Sequence, residues 1–311
     1  MISVVVPVRD EEPSVEPLYR ELAQALDPIA QWEVVYVDDG SLDGTFSELT
    51  ALHAAHMNVR VVRLRKHLGK AAALDAGLAE AAGDIVVTID GDLQDDPAEI
   101  PRLLAKLDEG YDLVSGWKAS RQDPLSRRLP SRVFNRVVGA VSGTRLHDMN
   151  CGLKAFTAEV ADELAIYGEL HRFIPLLAAD RGFRIAEIPV HHRPRAHGRS
   201  RYGLERYLRG LLDLLTVVFL SRYRHRPLHL FGGLGLTLAT VGFVVLSYLT
   251  VLKLTGHAIG GRPLLVLGVL LMVVGVQLLS LGLISELVTS HNADRARTEG
   301  RRPVPVDEVL R

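Results

Sequence analysis

The sequence predicts an α/β domain, with a mostly parallel sheet covered by helices on both faces, followed by a pair of membrane-spanning helices. Three observations carry this. Short β-rich runs alternate with amphipathic helical runs over residues 1–116. The turns after three of those strands are acidic and lie at the carboxyl edge, where such sheets bind their ligands. Two uncharged runs, residues 228–252 and 264–285, each exceed the ~20 apolar residues that cross a bilayer core.

The elements follow in order. Strands are expected at residues 2–6, 33–37, 59–63, 84–89 and 112–115, each a β-branched run bounded by turn formers. Helical periodicity fills residues 15–26 and 70–82 between them. Residues 117–150 are rich in arginine and loop formers, then turn amphipathic. Mixed structure resumes at 151–190, with a strand at 184–189, and ends in a dense basic loop, HHRPRAHGRSRYG. Over residues 202–220, Leu204, Leu208, Leu211, Leu212 and Leu215 are interleaved with Glu205, Arg206, Arg209 and Asp213. That pattern suits a helix lying in a membrane interface, and it equally fits an ordinary amphipathic surface helix.

Ten residues, 253–262, join the two apolar runs, which makes them a helical hairpin. Arg209, Arg222, Arg224 and Arg226 precede it, and Arg295, Arg297, Arg301 and Arg302 follow it. The connection holds only Lys253 and Arg262, so the positive-inside rule puts both ends in the cytoplasm. The expected layout is an α/β domain at 1–200, a juxtamembrane helix at 201–226, the hairpin at 227–289 and a polar tail at 290–311. The tail is expected to be cytoplasmic and loosely ordered.

Composition narrows the function. The 36 basic and 37 acidic residues leave a net charge of -1, with no electrostatic case for a nucleic-acid partner. A single cysteine, Cys151, excludes an internal disulfide framework. The first residues, MISVVVPVRDEE, lack the basic and apolar regions of a signal peptide, so the α/β domain is expected to stay in the cytoplasm.

Chemistry concentrates in the acidic turns. Asp90-Gly91-Asp92 ends the run DIVVTID. Two carboxylates at i and i+2 on a strand point the same way, and the strand end frees them to hold one hard divalent cation with phosphate oxygens and water. Gly91 gives a ligand room to approach. Asp38 and Asp39 close the second strand, where a carboxylate meets base or ribose groups in other nucleotide sites. Asp43 is placed to cap the helix that starts near Gly44. Gly69-Lys70 opens a helix whose N-terminus favours phosphate. No G-x-G-x-x-G follows an early strand, so a dinucleotide dehydrogenase has no support.

In order, VVVPVRDEE, VDDGSLDGT, GKAAALDAGLAEAAGD and TIDGDLQDDP fall in register over residues 4–97 and resemble glycosyltransferase family 2. The later segments DMNCGLKAF, ELHRFIP and EIPVHHRPRAHGRSRYG, with the terminal hairpin, are similar to its polyprenyl-phosphate glycosyltransferases, relatives of dolichyl-phosphate mannose synthase. The resemblance implies a GT-A nucleotide-sugar-binding fold. It also implies Pro7, Arg9 and Glu11 as the first nucleotide-binding turn, and Asp39 with Asp38 as base and ribose contacts. Asp90, Gly91, Asp92 and Gln94 match the metal and diphosphate turn, with Asp92 and Gln94 closest to a Mg²⁺ or Mn²⁺. Lys118 stands where the family usually has arginine, Arg195 and Arg201 match a basic loop that clamps donor and acceptor phosphates, and Asp148 matches an acid proposed as a base. Arg9, Asp10 and Lys118 depart from the usual residues and leave the metal pair untouched.

The implied reaction is inverting, metal-dependent transfer of a sugar from a nucleotide sugar, by expectation a UDP-sugar, to undecaprenyl phosphate at the cytoplasmic face of the inner membrane. A homo-oligomer is compatible with this. Two other readings use the same parts: a processive polysaccharide synthase, whose Q-x-x-R-W motif neither Trp32 nor Trp117 supplies, and a non-catalytic nucleotide-sugar-binding membrane scaffold. Cys151 reads as a small buried residue. His171, His191, His192 and His197 lack zinc spacing on one helix. Trp117 suits stacking on a sugar or simple packing. The arginines of 121–136 suit an anionic lipid or plain solvation.

Overall fold

Strands β1 (Ile2–Val8) and β2 (Trp32–Asp38) run parallel at the centre of an eight-stranded sheet, in register from Ile2 opposite Trp32 to Val8 opposite Asp38. Every residue of β2 is buried, as expected of a strand covered on both faces. The computed structural model describes residues 1–118, 146–148, 151–164, 166, 168, 170–193, 227–259, 263–296 and 306–310. They fall into two compact units, Met1–Val217 with Arg302–Arg311, and Val218–Arg301.

In the first unit, β1 leads through α1 (Glu12–Leu26) to β2, and β2 through α2 (Thr45–Ala55) to β3 (Val59–Leu64). Helix α3 (Lys70–Glu80) then leads to β4 (Ile85–Thr88), and α4 (Ile100–Asp108) to β5 (Leu113–Lys118). Val4, Val6 and Tyr36 pack with Val15, Leu18 and Leu22 of α1 and Leu103 of α4. The alternate residues Val5 and Val37 face Gly77 of α3 on the opposite side of the sheet. This is the period-2 division of a strand between two apolar layers. The predicted strands 2–6, 33–37, 59–63, 84–89 and 112–115 all form, with ends shifted by a few residues.

The 151–190 region contributes β6 (Lys154–Thr157), α5 (Ala158–Glu163), α6 (Ile174–Asp180) and β7 (Ile185–Val190). Strand β6 runs antiparallel between β4 and β5, while β7 is parallel to β5. The order is β7-β5-β6-β4-β1-β2-β3-β8.

Two expectations are corrected. The tail, read as loosely ordered, supplies β8 (Val306–Leu310), antiparallel to β3. Without it β3 would be an edge strand with unpaired N–H and C=O groups, and an extended run of five residues satisfies them. Asp43 is not the N-cap of α2; Gly44 is. Asp43 stands one residue earlier and accepts the first helical N–H, that of Thr45, at 3.0 Å, so the carboxylate does a cap's work from outside the cap position.

The second unit is a pair of helices, α7 (Pro227–Leu254) and α8 (Pro263–Ala296). Pro227–Leu254 and Pro263–Val288 are long and apolar enough to cross a bilayer. Outward side chains such as Phe243, Val266 and Leu287 are exposed, unlike those of a soluble core helix. The two helices meet along small residues. A Cβ on Gly235 would stand 2.7 Å from the Gly275 carbonyl oxygen, so only glycine permits this approach. Near the open end, Glu286 accepts the Leu228 N–H at 3.2 Å, covering an otherwise unpaired group in the first turn of α7. The interfacial helix expected at 201–226 lies outside the described residues.

Candidate active site

The carboxyl ends of β1, β2, β4 and β5 share one edge of the sheet, and those predicted site residues that the structure describes collect there. Pro7 lies in β1 opposite Val37, and the turn after it is bound to the turn after β2. Asp10 donates its N–H to Ser41 Oγ at 3.0 Å and accepts the Leu42 N–H at 2.8 Å. Glu11 donates its N–H to Thr45 Oγ1 at 3.0 Å. Asp10 sits at φ 53°, a left-handed conformation that Asp tolerates better than most residues. Arg9 places its Nε 3.8 Å from the Asp10 carboxylate.

Asp38 is fully buried and accepts the Ser41 N–H at 2.9 Å. Arg63, which lies over the Phe46 ring, approaches its other oxygen at 3.8 Å. Two buried atoms at these adjoining strand ends, Arg9 Nε and Asp38 Oδ2, have no hydrogen-bond partner. Asp39 meets His67 Nδ1 at 2.7 Å and accepts the N–H groups of Leu68 at 2.7 Å and Gly69 at 3.0 Å. Its carboxylate therefore shapes the turn that delivers Lys70 to the start of α3.

Lys70 donates to Asp90 across that edge. Burial acts to raise the Asp90 pKa, but the Lys70 ammonium outweighs it by charge and hydrogen bond, with Lys118 and Lys154 adding to it. The carboxyl is held down at about 2. Asp92 accepts the Gln94 N–H at 3.3 Å, closing a tight turn around Leu93. Leu93 has φ 61°, which is unusual for a bulky residue and marks backbone strain at the centre of the turn. Gly91 packs against Val8 and Pro7 of β1, so the room it provides is taken up by the protein.

Asp95, only 1% exposed, lies 3.4 Å from Lys118 Nζ and 3.1 Å from His192 Nδ1. Burial acts to lower the Lys118 pKa, but Asp95 chiefly, with Cys151, Asp90 and Asp148, raises it on balance. Lys118 is therefore a permanent cation at this edge. Asp90 and Asp95 come together over Gly152, where a Cβ would stand 2.5 Å from Asp90 Oδ1 and 2.7 Å from Asp95 Oδ2. Lys154 is buried beneath them and donates to the Cys151 carbonyl; burial above all lowers its pKa.

Asp148 is 3% exposed. Glu187 of β7 sets its backbone, accepting the His147 N–H at 2.7 Å and the Asp148 N–H at 3.0 Å. Trp117 stacks on the His147 ring with centroids 4.3 Å apart, so one indole face packs on protein. Cys151 is buried as expected, and burial first, then Asp95, pushes its thiol up to about 12. Burial first, then Lys70, Arg172 and Lys154, pushes His171 down to about 3. Arg195, Arg201 and the arginines of 121–136 lie outside the described residues.

Sequence reasoning brought together Pro7, Arg9, Glu11, Asp38, Asp39, Lys70, Asp90, Asp92, Gln94, Lys118 and Asp148, and missed the residues that hold them. Asp95 was legible only as one of two aspartates after Gln94. Glu187 was an acid in an otherwise apolar strand, and its bond to the 147–148 segment depends on strand order. His67 carried no signal.

The acidic turn fits a hard divalent cation. The Asp92 carboxylate and Gln94 carboxamide offer oxygen donors, the chemistry Mg²⁺ and Mn²⁺ select. Among the described residues no three His, Cys, Asp or Glu side chains converge as a ready-made metal cage. A cation here would thus complete its shell with phosphate oxygens and water.

The model of the family described as Glycosyl transferase family 2 matches residues 3–165. The chain is 40% identical over 294 residues to a dodecaprenyl-phosphate galacturonate synthase of Rhizobium johnstonii, covering 92% of this chain and 87% of that one. It is 40% identical over 304 residues to an undecaprenyl-phosphate 4-deoxy-4-formamido-L-arabinose transferase of Pseudomonas aeruginosa, covering 96% and 88%. Among solved structures it resembles glucosyl-3-phosphoglycerate synthase of Mycobacterium tuberculosis in complex with Mn²⁺, UDP-glucose and phosphoglyceric acid. The TM-score there is 0.54 at 25% identity, covering 71% of this chain and 79% of that one. The GT-A fold expected from the sequence is thereby shared.

Proposed function

The chain belongs to glycosyl transferase family 2, and from that premise we propose that it moves a sugar from a UDP-sugar to undecaprenyl phosphate, with inversion, at the cytoplasmic face of the inner membrane. The observation that carries the reading is the Asp90–Gln94 turn at the carboxyl edge of the sheet, flanked by the cations Lys70 and Lys118. Such an edge holds a metal–diphosphate pair without accumulating net charge. The relatives that cover nearly the whole chain are named for polyprenyl-phosphate acceptors, and the structural relative was solved with Mn²⁺ and UDP-glucose.

On this reading Asp92 and Gln94 hold Mg²⁺ or Mn²⁺, while Asp90 stays ionised and shared with Lys70. When bound, the metal neutralises charge developing on the departing nucleoside diphosphate. Arg9 Nε and Asp38 Oδ2, a donor and an acceptor buried without hydrogen bonds, suit a base edge that offers a C=O and an N–H, as uracil does. Asp39 acts at one remove, fixing the turn that presents Lys70. Arg195 and Arg201 draw the two anionic substrates together and offset their repulsion.

The acceptor needs no base. A phosphate monoester has a second pKa of about 6 and is mostly a dianion at pH 7. Asp148, with its backbone pinned by Glu187, orients neighbouring groups instead of abstracting a proton. The side is favoured by the arginines, and the placing of both ends on one side by the sheet. Arginines flank both ends, and β8, beyond the second apolar helix, pairs with β3 from before the first. A chain that returns to its own sheet crosses a bilayer an even number of times.

The test is a panel of radiolabelled nucleotide sugars offered to the purified full chain with undecaprenyl phosphate and Mn²⁺. Label entering the lipid fraction from a UDP-sugar, and lost in EDTA, is the expected result. Label entering a growing polymer without a lipid-phosphate product would favour the processive synthase instead.

A further inference from the structure

The chain leaving β7 reads HHRPR, and by composition its basic residues form one cluster. The structure separates them. His191 donates its N–H to Glu99 at 3.1 Å, and His192 bridges to Asp95. Arg193 donates its N–H to the Gln94 carbonyl at 2.7 Å, inside the metal turn. Its guanidinium then spans two elements. One nitrogen lies 2.8 Å from both Glu21 oxygens on α1, and the other lies 2.9 Å from Asp96. Asp96 in turn accepts the Ala98 N–H at 3.1 Å and starts the short helical turn Pro97–Glu99. The Arg193 fork is thus committed to two carboxylates of the protein, a planar arrangement that lysine cannot reproduce.

We propose that Arg193 is a positioning residue, with Glu21 and Asp96 as its partners. It fastens the chain leaving β7 to α1 and to the metal turn, so that the backbone at Arg193 is held at a fixed place relative to Asp92 and Gln94. Its effect on transfer rests on the function proposed above; the fastening itself does not. Glu21 lies 172 residues away in sequence and in no motif singled out there, so the link exists only in the fold.

The experiment uses the full chain in detergent and compares wild type with Arg193→Ala, Arg193→Lys, Glu21→Gln and the double variant Glu21→Gln/Arg193→Ala. Amide hydrogen exchange of peptides covering residues 92–96, without substrate, reports the fastening. Arg193→Ala should speed that exchange about tenfold, as local opening becomes easier. Calorimetric affinity for UDP with Mn²⁺ should change less than about twofold, while transfer to undecaprenyl phosphate falls about tenfold, and the double variant should lose no more than Arg193→Ala alone, as coupled pairs do. Arg193→Lys should stay impaired. Unchanged exchange in Arg193→Ala would overturn the proposal. So would fully additive losses in the double variant beside a fully active Arg193→Lys, because the charge would then be serving a ligand. If wild type transfers no sugar to undecaprenyl phosphate, the functional reading fails, and the exchange measurement still decides the fastening.

Discussion

The site edge and the helical hairpin are ordered by opposite means. At the edge, nearly every carboxylate is held against a cation: Asp90 against Lys70, Asp95 against Lys118, Asp96 against Arg193. In the hairpin, order comes from backbone approaching backbone at Gly235 and Gly275, and the only carboxylate in residues 227–288 is Glu286. Charge pairs place a ligand-binding turn accurately and leave it dependent on ionisation. Glycine contacts place helices closely and depend on volume alone. Activity should therefore fail first through charge at the edge, and stability through size in the hairpin.

The largest expected effect is at the edge. Asp92→Asn keeps the shape and removes a negative ligand, so turnover should fall about 100-fold or more with the melting temperature nearly unchanged. Full turnover of that variant in EDTA would break the comparison. In the hairpin, Gly275→Leu forces a side chain against Ala239 and the Gly235 carbonyl, and overpacking of this kind costs about 1–3 kcal/mol. Thermal unfolding in detergent should begin at lower temperature, while affinity for UDP with Mn²⁺ stays the same.

A pH series sharpens the contrast. His171 has its pKa pushed from 6.5 to about 3 in the folded domain, so the unfolded chain binds the extra proton first as pH falls. Its contribution is complete above pH 6.5 and is lost progressively as pH falls from there toward 3, by about 1 kcal/mol at pH 5.5. Replacement by asparagine should flatten the melting-temperature curve of the catalytic domain in that window; an unchanged slope would assign the acid sensitivity elsewhere. The smallest effect is at Glu286. Glu286→Gln keeps an oxygen for the Leu228 N–H and loses only the charge at a helix N-terminus, about 0.3–1 kcal/mol, readable as a slight drop in detergent melting temperature.

Most of the fold was legible because its signals are local. Six strands showed as short apolar runs, and both apolar helices showed as uncharged stretches. Strand β6 was not assigned, since its four residues include Lys154, a charged residue that pairs between Thr88 and Ser115 only once β4 and β5 flank it. Strand β8 was misjudged because a polar tail gives no local sign of an open edge at β3. In the site, the structure brings the described motif residues to one edge, and the residues that hold them were not singled out from sequence. Glu187 reaches the 147–148 segment only because β7 lies beside β5, and Asp39 spends its oxygens on a turn nearly 30 residues away. The bonds that hold the motif residues are long-range and appear only once the strands are ordered.

The central claim is that a lipid phosphate is the nucleophile. The most direct measurement offers the purified chain undecaprenyl phosphate and undecaprenol side by side, with the same UDP-sugar and Mn²⁺. The dianionic phosphate should be glycosylated and the alcohol left untouched, with no loss of the phosphate reaction between pH 7 and 8, where the acceptor is already ionised. Transfer to undecaprenol at a comparable rate would contradict the account: the nucleophile would be a hydroxyl, and Asp148 would have to remove its proton.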